Sequence, residues 1–151
     1  MQPSAAILIV DDHDGFRTFA RSMLEAAGFT VAEATTGAEA TDAARTIRPG
    51  LVLLDIQLPD FDGFEVARRL AAAPAPAPVV VLTSTREARD YGGRIAASPA
   101  AGFLPKDQLS ARRCAGSWPG TRREPAAAGR TGRGRDRRGG QPRLVGLAPA
   151  I

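Results

Sequence analysis

The chain has few of the residues that build covalent cross-links, soft-metal sites or membrane spans. Cys114 is its only cysteine, so no disulfide can form within the chain. His13 is its only histidine, and without a second nitrogen or sulfur ligand beside it we expect it to be exposed and to point away from Asp12. The apolar run at residues 5–10 is far shorter than the roughly 18 residues of a membrane span. These absences favour a cytoplasmic protein without a membrane segment.

The basic charge of the chain is confined to its C-terminal part. Residues 1–110 contain 10 Lys and Arg and 14 Asp and Glu, whereas residues 111–151 contain 10 and 2. The second part is rich in Arg, Gly and Pro and shows no helix or strand period, so it is predicted to be disordered. We therefore predict one folded domain over residues 1–110, followed by a basic tail over residues 111–151.

Short apolar runs alternate five times with amphipathic stretches in the first part. This pattern is typical of βα units around a buried parallel sheet. The predicted strands lie at residues 6–10, 29–34, 51–54, 79–82 and 102–105. The predicted fold class is α/β with a five-stranded parallel sheet.

Helix boundaries are marked by local signals between these strands. Gly28 is expected to end the first helix, and residues 36–39 form a capping box that opens the second. A second capping box at residues 84–87 is expected to open the fourth helix. Gly92 and Gly93 lie inside that helix and should make it the least stable, because each glycine costs about 1 kcal/mol relative to alanine.

The last helix is expected to be short or incomplete. Residues 107–114 allow about two turns, and Gly116 and Pro119 are expected to stop the helix there. One face of the sheet would then be incompletely covered.

Polar residues follow four of the five predicted strands. The carboxyl ends of parallel strands share one crevice, so these side chains are expected to converge. In chain order they are Asp11, Asp12, Asp55, Thr83, Ser84 and Lys106.

Three carboxylates in one crevice repel one another unless a cation compensates them. Oxygen ligands in a partly open site favour a hard divalent ion such as Mg²⁺. A metal-bound carboxylate beside a lysine and a hydroxyl suits phosphoryl transfer, which needs stabilisation of the phosphoryl oxygens more than it needs an acid or base. Asp55 would be the nucleophile and would become an aspartyl phosphate.

Four motifs in order give the chain a specific resemblance across residues 5–110. It resembles the CheY-like receiver domains of bacterial two-component response regulators. The resemblance implies a flavodoxin-like, doubly wound sheet in the strand order 2-1-3-4-5. The motifs are Ile7-Leu-Ile-Val-Asp-Asp12, Leu53-Leu-Asp55-Ile-Gln-Leu-Pro59-Asp-Phe-Asp-Gly63, Val80-Val-Leu-Thr83-Ser and Gly102-Phe-Leu-Pro-Lys106.

The resemblance implies a Mg²⁺ site with four protein ligands or near-ligands. Asp12 would bind the ion directly, and Asp11 would bind it directly or through water. Asp55 would be both ligand and phosphoacceptor, and the backbone carbonyl of Gln57 would complete the set.

The resemblance also implies how the attached phosphoryl group is held. Thr83 would hydrogen-bond it and Lys106 would pair with it. Phe103 falls where the family has an aromatic side chain that changes rotamer as the threonine moves inward. The donor would be a phosphohistidine on a sensor histidine kinase, and the protein would be a signalling switch rather than an enzyme.

The sequence departs from the family after Lys106. Asp107 stands where many receivers have a proline, so the peptide bond between Lys106 and Asp107 is predicted to be trans. Lys-Asp at this point is similar to regulators with a LuxR-type DNA-binding output domain. Only 41 residues follow Ser110, too few and too polar for such a domain.

Three alternatives to a complete regulator remain open from the sequence. The arginines of residues 111–151 could bind nucleic acid without sequence preference, although aromatic residues for base stacking are nearly absent there. A reading-frame shift beginning near Ala111 could also produce such a period-free tail. A metal-dependent phosphatase is disfavoured, because Gln57 stands where such sites want a second acid.

Other polar residues near the site have ordinary structural interpretations. Asp14, Asp60 and Asp62 are expected to be cap or turn residues outside the site. Ser84 is expected to serve as a helix N-cap.

Overall fold

The computed structural model describes residues 6–74 and 76–117 of the chain. Strands and helices alternate along these residues. The strands are β1 (Ala6–Val10), β2 (Thr30–Ala34), β3 (Leu51–Asp55), β4 (Val79–Ser84) and β5 (Gly102–Pro105). The helices are α1 (Asp14–Ala26), α2 (Gly37–Ile47), α3 (Gly63–Ala72), α4 (Arg94–Ala97) and α5 (Ala111–Ser117), with two short 3-10 segments at Ala88–Tyr91 and Lys106–Gln108.

The five strands form one parallel sheet in the order β2-β1-β3-β4-β5. Both the fold class and the strand order predicted above are confirmed. The order reverses direction beside β1, because β2 lies on one side of it and β3 on the other. In sheets of this kind the carboxyl ends of the strands at such a reversal form a crevice, which is where ligands bind.

Each face of the sheet packs against its own set of helices. Side chains alternate along a strand, so Leu8 and Val10 enter a core that also contains residues of α2 and α3. Ile7 and Ile9 enter the opposite core, with residues of α1 and Cys114 of α5. Apolar burial on both faces fixes the register of the strands, since a slip by one residue would exchange the two cores.

Helix α1 ends where the sequence predicts. Ala27 is its C-cap, and Gly28 follows in the left-handed region at φ +96°. The amide of Gly28 donates to the carbonyl of Glu25, and that of Phe29 donates to the carbonyl of Leu24. This is the Schellman arrangement, in which glycine is favoured because it has no Cβ.

The predicted fourth helix is wrong in its start and its length. Ser84 ends β4 instead of capping a helix, and the observed capping box joins Glu87 and Asp90. Gly92 at φ +56° then separates the 3-10 segment from the four-residue α4. The region is thus divided into two short segments, and its low stability stays a prediction.

The last helix begins later than expected and continues past Gly116. The Ser110 carbonyl accepts from the amide of Cys114, and its hydroxyl accepts from the amide of Arg113, so Ser110 starts α5. The predicted tail therefore begins with helix. Leu109 and Cys114 are buried and cover part of the sheet face expected to be bare. Residues 118–151, which hold most of the predicted tail, lie outside the described residues.

Within residues 6–74 and 76–117, no helix is long and apolar enough to cross a membrane.

Candidate functional site

Four of the six polar residues predicted to converge meet at the carboxyl edge of the sheet, namely Asp11, Asp55, Thr83 and Lys106. Asp55 is the last residue of β3 and lies beside Thr83 in the β3–β4 register. Asp11 directly follows β1, and Lys106 directly follows β5. The strand β4 is two residues longer than predicted, so Thr83 is held inside the sheet, where it is fully buried.

Lys106 extends between two buried carboxylates. Its Nζ atom lies 2.6 Å from Asp11 Oδ2 and 3.2 Å from Asp55 Oδ2. The side chains of Asp11 and Asp55 are 0% and 5% exposed, and that of Lys106 is 11% exposed. A buried carboxylate is costly without a counter-charge, so this single ammonium compensates both acids.

The pKa values of Asp55 and Lys106 are both raised, but for different reasons. Burial raises the pKa of Asp55, Asp11 adds to the rise, and the hydrogen bond from the Gln57 amide and the charge of Lys106 oppose it. Burial alone would lower the pKa of Lys106, but the hydrogen bond to Asp11 and the charges of both acids outweigh it and raise that pKa. Lys106 is therefore protonated in the site.

The outer part of the site has an acidic cluster that could hold a metal ion. Ligand atoms of Asp11, Asp12 and His13 all lie within 4.8 Å of one another. His13 is exposed, as predicted, with 78% of its side chain accessible. Its predicted direction is wrong, because Nδ1 lies 3.6 Å from Asp12 Oδ1. The backbone amide of His13 also donates to Asp11 Oδ1 at 2.9 Å.

Asp55 is held in place by the chain that follows it. The amide of Gln57 donates to Asp55 Oδ1 at 3.0 Å. Gly63, at the start of α3, packs against this segment so closely that a Cβ atom there would lie 2.5 Å from the Asp55 carbonyl oxygen and 2.6 Å from Ile56 Cα. Glycine is required at position 63 because any side chain would displace the backbone of the acid.

One buried oxygen atom in the site has no partner among the described residues. It is Thr83 Oγ1, whereas Asp11 Oδ2 lies 2.6 Å from Lys106 Nζ. Buried polar atoms are nearly always satisfied in folded proteins. The unpartnered hydroxyl of Thr83, with the acids beside it, suits a site for a cation and an oxyanion.

Two residues of α1 support the site and were not predicted to. Arg17 donates from Nη1 to the Asp11 carbonyl at 2.7 Å and from Nε to Glu33 at 3.2 Å. The ring of Phe16 lies 4.8 Å from Lys106 Nζ. The spacing of three residues between Asp14 and Arg17, which form an ion pair, was the available sequence signal.

An aromatic cluster lies beside the β4 and β5 ends of the site. The ring centroids of Tyr91 and Phe103 are 6.1 Å apart, and those of Tyr91 and Phe64 are 5.9 Å apart. The Tyr91 hydroxyl lies 2.5 Å from Ser84 Oγ, which also accepts from the amide of Arg86. Ser84 is thus structural as predicted, but it binds a turn and a tyrosine instead of capping a helix.

The cap predictions for the loop acids hold with one addition. Asp62 is the N-cap of α3 and accepts from the Phe64 amide at 2.7 Å. Asp14 lies in the first turn of α1. Asp60 caps α2, a helix more than 20 residues earlier in the chain, and sequence spacing gave no signal for that contact.

The sequence model of the response regulator receiver domain matches residues 7–113. The chain belongs to the response regulator receiver family. The recognition made from the four sequence motifs is thereby confirmed, and the match runs three residues past the predicted boundary at Ser110, into α5.

Curated relatives are bacterial regulators. The chain is 43% identical over 101 residues to a Pseudomonas aeruginosa protein named for transcriptional regulation, covering 66% of this chain and 48% of that protein. It is 38% identical over 84 residues to the alkaline phosphatase synthesis transcriptional regulatory protein PhoP of Bacillus subtilis, covering 56% and 35%. It is 38% identical over 106 residues to the response regulator MprA of Mycobacterium bovis, covering 68% and 44%. The chain thus spans less than half the length of each of these relatives.

Solved receiver structures share the fold. The chemotaxis response regulator CheY4 of Vibrio cholerae superimposes with a TM-score of 0.65 at 25% identity, covering 72% of this chain and 90% of that one. A two-component response regulator of the LuxR family from Aurantimonas sp. gives a TM-score of 0.62 at 27% identity, covering 68% and 74%. The protein is therefore a receiver domain of the two-component type, a signalling module of a family that generally binds Mg²⁺ at an acidic pocket.

Proposed function

We propose that Asp55 accepts a phosphoryl group and that Asp11, Asp12 and Gln57 hold the divalent cation that assists the transfer. The observation that carries this proposal is the position of Lys106 Nζ between Asp11 and Asp55. Such an ammonium is placed to pair with phosphoryl oxygens on Asp55. The buried, unpartnered hydroxyl of Thr83 supplies a hydrogen-bond donor on the neighbouring strand.

The donor set suits Mg²⁺. Asp11, Asp12 and Asp55 offer carboxylate oxygens and Gln57 a backbone carbonyl, and hard oxygen ligands on a partly open site favour this ion. Asp12 is 44% exposed, which leaves room for water ligands. Bound there, Mg²⁺ would neutralise charge on the phosphoryl oxygens.

The reaction would exchange one bond for another at phosphorus. An Asp55 carboxylate oxygen would form the new P–O bond, and the P–N bond of a donor phosphohistidine would break, leaving the electron pair on the imidazole nitrogen. Lys106 and Thr83 would bind the transferred oxygens. The raised pKa of Asp55 in the metal-free site makes its carboxylate more basic, and a bound cation would favour the ionised nucleophile.

A sensor histidine kinase is the proposed donor, which places the protein in the cytoplasm beside the kinase's catalytic domain. The relatives named as transcriptional regulators support a role in controlling gene expression. The chain spans less than half the length of these relatives. Its role in gene expression, and any downstream partner through which it would act, are therefore part of the proposal.

Phosphoryl uptake by the purified chain tests the proposal. Incubation with Mg²⁺ and acetyl phosphate should add about 80 Da by intact mass, the mass of one PO₃H unit bound at the nucleophile. Asp55→Asn should remove the added mass, and Asp42→Asn, an exposed acid on α2, should leave it unchanged. Equal uptake by the Asp55→Asn variant would refute Asp55 as the acceptor.

A further inference from the structure

The loop between β3 and α3 carries the proposed carbonyl ligand Gln57 and is closed at its base. Gln57 and Asp62 form an isolated antiparallel bridge. The amide of Gly63 donates to the carbonyl of Ile56 at 2.8 Å. These contacts fix both ends of the loop, but they leave its middle, at residues 58–61, without a hydrogen bond to its own base.

Asp60 connects the middle of this loop to another element. Its Oδ1 atom accepts from the amide of Gly37 at 2.7 Å, and its Oδ2 atom accepts from the amide of Ala38 at 3.0 Å. Oδ1 also accepts from the amide of Phe61 at 2.9 Å. One carboxylate therefore binds the start of α2 and its own loop at the same time.

Helix α2 depends on this foreign carboxylate for its N-terminus. The first four amides of a helix have no partner inside it. The amides of Glu39 and Ala40 are satisfied by Thr36 Oγ1 and the Thr36 carbonyl. Those of Gly37 and Ala38 are satisfied by Asp60 alone. Burial is the largest single effect and raises the pKa of Asp60, but the backbone hydrogen bonds from Gly37, Ala38 and Phe61 together outweigh it and lower that pKa. The cap is therefore ionised at neutral pH.

The two elements also pack closely at this point. A Cβ atom on Gly37 would lie 2.9 Å from Phe61 Cδ2 and 2.8 Å from Val66 Cγ2. Phe61 makes a second contact with Arg69 of α3, whose guanidinium lies 4.1 Å from the centroid of the ring. The loop is therefore held against α2 by one charged cap and one aromatic contact, with α3 behind it.

We propose that Asp60 is a positioning residue, which fixes the β3–α3 loop against α2 so that the Gln57 carbonyl is held ready for the cation. Gln57 is three residues from Asp60 within a seven-residue loop. Motion of the loop around Asp60 would therefore also move the Gln57 carbonyl. The coupling is reciprocal, because a cation that orders the loop must also stabilise the start of α2. This inference rests on the proposed function, since it assumes that Gln57 is a ligand.

Direct measurement of Mg²⁺ binding tests the effect on the site. By titration calorimetry on the full chain, Asp60→Ala should bind Mg²⁺ about 3- to 10-fold more weakly than the unaltered protein. This loss is smaller than the roughly 10- to 100-fold typical of residues that hydrogen-bond a metal-binding side chain directly. The matched control is Thr36→Ala, which removes another cap of the same helix and whose hydroxyl accepts from the amide of Glu39 and not from the loop. It should lower the thermal midpoint and leave the Mg²⁺ affinity unchanged.

Amide exchange tests the reciprocal effect. Adding Mg²⁺ should slow hydrogen exchange of the Gly37 and Ala38 amides in the unaltered protein and in Thr36→Ala, but not in Asp60→Ala. If Asp60→Ala is poorly folded, Asp60→Asn, which keeps one acceptor oxygen, should show intermediate Mg²⁺ affinity.

The outcomes separate the two proposals. Equal Mg²⁺ affinity in Asp60→Ala and the unaltered protein, or an equal loss in Thr36→Ala, would overturn the positioning role while the metal site stands. Absence of Mg²⁺ binding by the unaltered protein would overturn both.

Discussion

At the scale of single residues, the site holds two buried negative charges and one buried positive charge. Asp11 and Asp55 are two buried acids, and Lys106 is the one cation that contacts both of them among the described residues. Removing one partner from a buried ion pair leaves an uncompensated charge, which is strongly destabilising. The lysine therefore serves the stability of the metal-free domain as well as the binding of phosphoryl oxygens.

Replacing Lys106 with methionine should destabilise the metal-free protein. We expect the free energy of unfolding at pH 8 to fall by about 2 to 4 kcal/mol, somewhat less than for a fully buried pair. The loss should be smaller at pH 5. Without the ammonium, the pKa of Asp55, which burial already raises, would lie further above its unfolded value, and stability would then fall as pH increases. Urea denaturation at both pH values, in buffer with a chelator, measures this.

The control for this substitution is Arg89→Met, which breaks an exposed ion pair with Glu87. It should change the free energy of unfolding by less than about 0.5 kcal/mol. Added Mg²⁺ should restore part of the stability of Lys106→Met, since the ion supplies the missing positive charge. Unchanged stability without metal would show that Lys106 does not compensate the acids.

At the scale of elements, the region between β4 and β5 is the least regular part of the described chain. The segment is divided into Ala88–Tyr91 and Arg94–Ala97, and neither piece has a fully buried residue. Gly92 adopts φ +56° and ψ −133°, a conformation open to glycine alone, whereas Gly93 adopts φ −81° and ψ 0°. Glycine is therefore needed at position 92 for its backbone conformation, whereas the conformation at position 93 is open to other residues.

Alanine substitutions at these glycines should have opposite effects. Gly92→Ala should lower the free energy of unfolding by about 1 to 3 kcal/mol, because alanine is strained in that conformation. Gly93→Ala should raise it by about 0.4 to 1 kcal/mol through the unfolded state, and a Cβ there meets nothing within 4 Å. Chemical denaturation of the two variants decides this, and a stabilising Gly92→Ala would show that α4 can join the 3-10 segment.

At the scale of the whole molecule, the folded receiver extends beyond the boundary predicted from composition. Both cores are formed by residues 6–117, and Cys114 lies in the core opposite α2 and α3. Burial raises the pKa of its thiol to about 11, which fits a packing role. A deletion starting at residue 111 would therefore remove part of the core together with the basic segment.

Deleting residues 122–151 should leave phosphoryl uptake within about a factor of two of the full chain, because the site and both cores lie before that point. Intact mass after acetyl phosphate treatment measures it. The same pair of proteins tests the basic segment, since any salt-sensitive retention on DNA should vanish with its arginines. A truncated chain that fails to take up phosphoryl groups would show that the segment contributes to the receiver.

The alternation of apolar runs was sufficient to predict the sheet, and the polar strand ends were sufficient to predict that Asp11, Asp55, Thr83 and Lys106 meet at one edge of it. Both follow from short-range patterns, because burial on two faces requires continuous apolar strands and parallel strands bring their carboxyl ends together. Helix ends were predicted where a single residue decides them, as at Gly28. They were missed where several weak signals compete, as at Ser84, whose hydroxyl binds Tyr91 instead of a helix start.

The sequence by itself determined the α/β class, the receiver family and the residues at the strand ends. Only the tertiary structure decided that Lys106 lies between Asp11 and Asp55, that Arg17 holds the Asp11 carbonyl, and that Asp60 caps α2. For Lys106 and Asp60 the physical reason is that their partners belong to other βα units, so these contacts depend on how the units pack. Arg17 and Asp11 belong to one unit, but the side chain of Arg17 reaches the carbonyl only once the chain after β1 is folded. Local periodicity in the sequence is sufficient to predict each βα unit. The distances between residues of different units are set only when the units pack together and form the two cores.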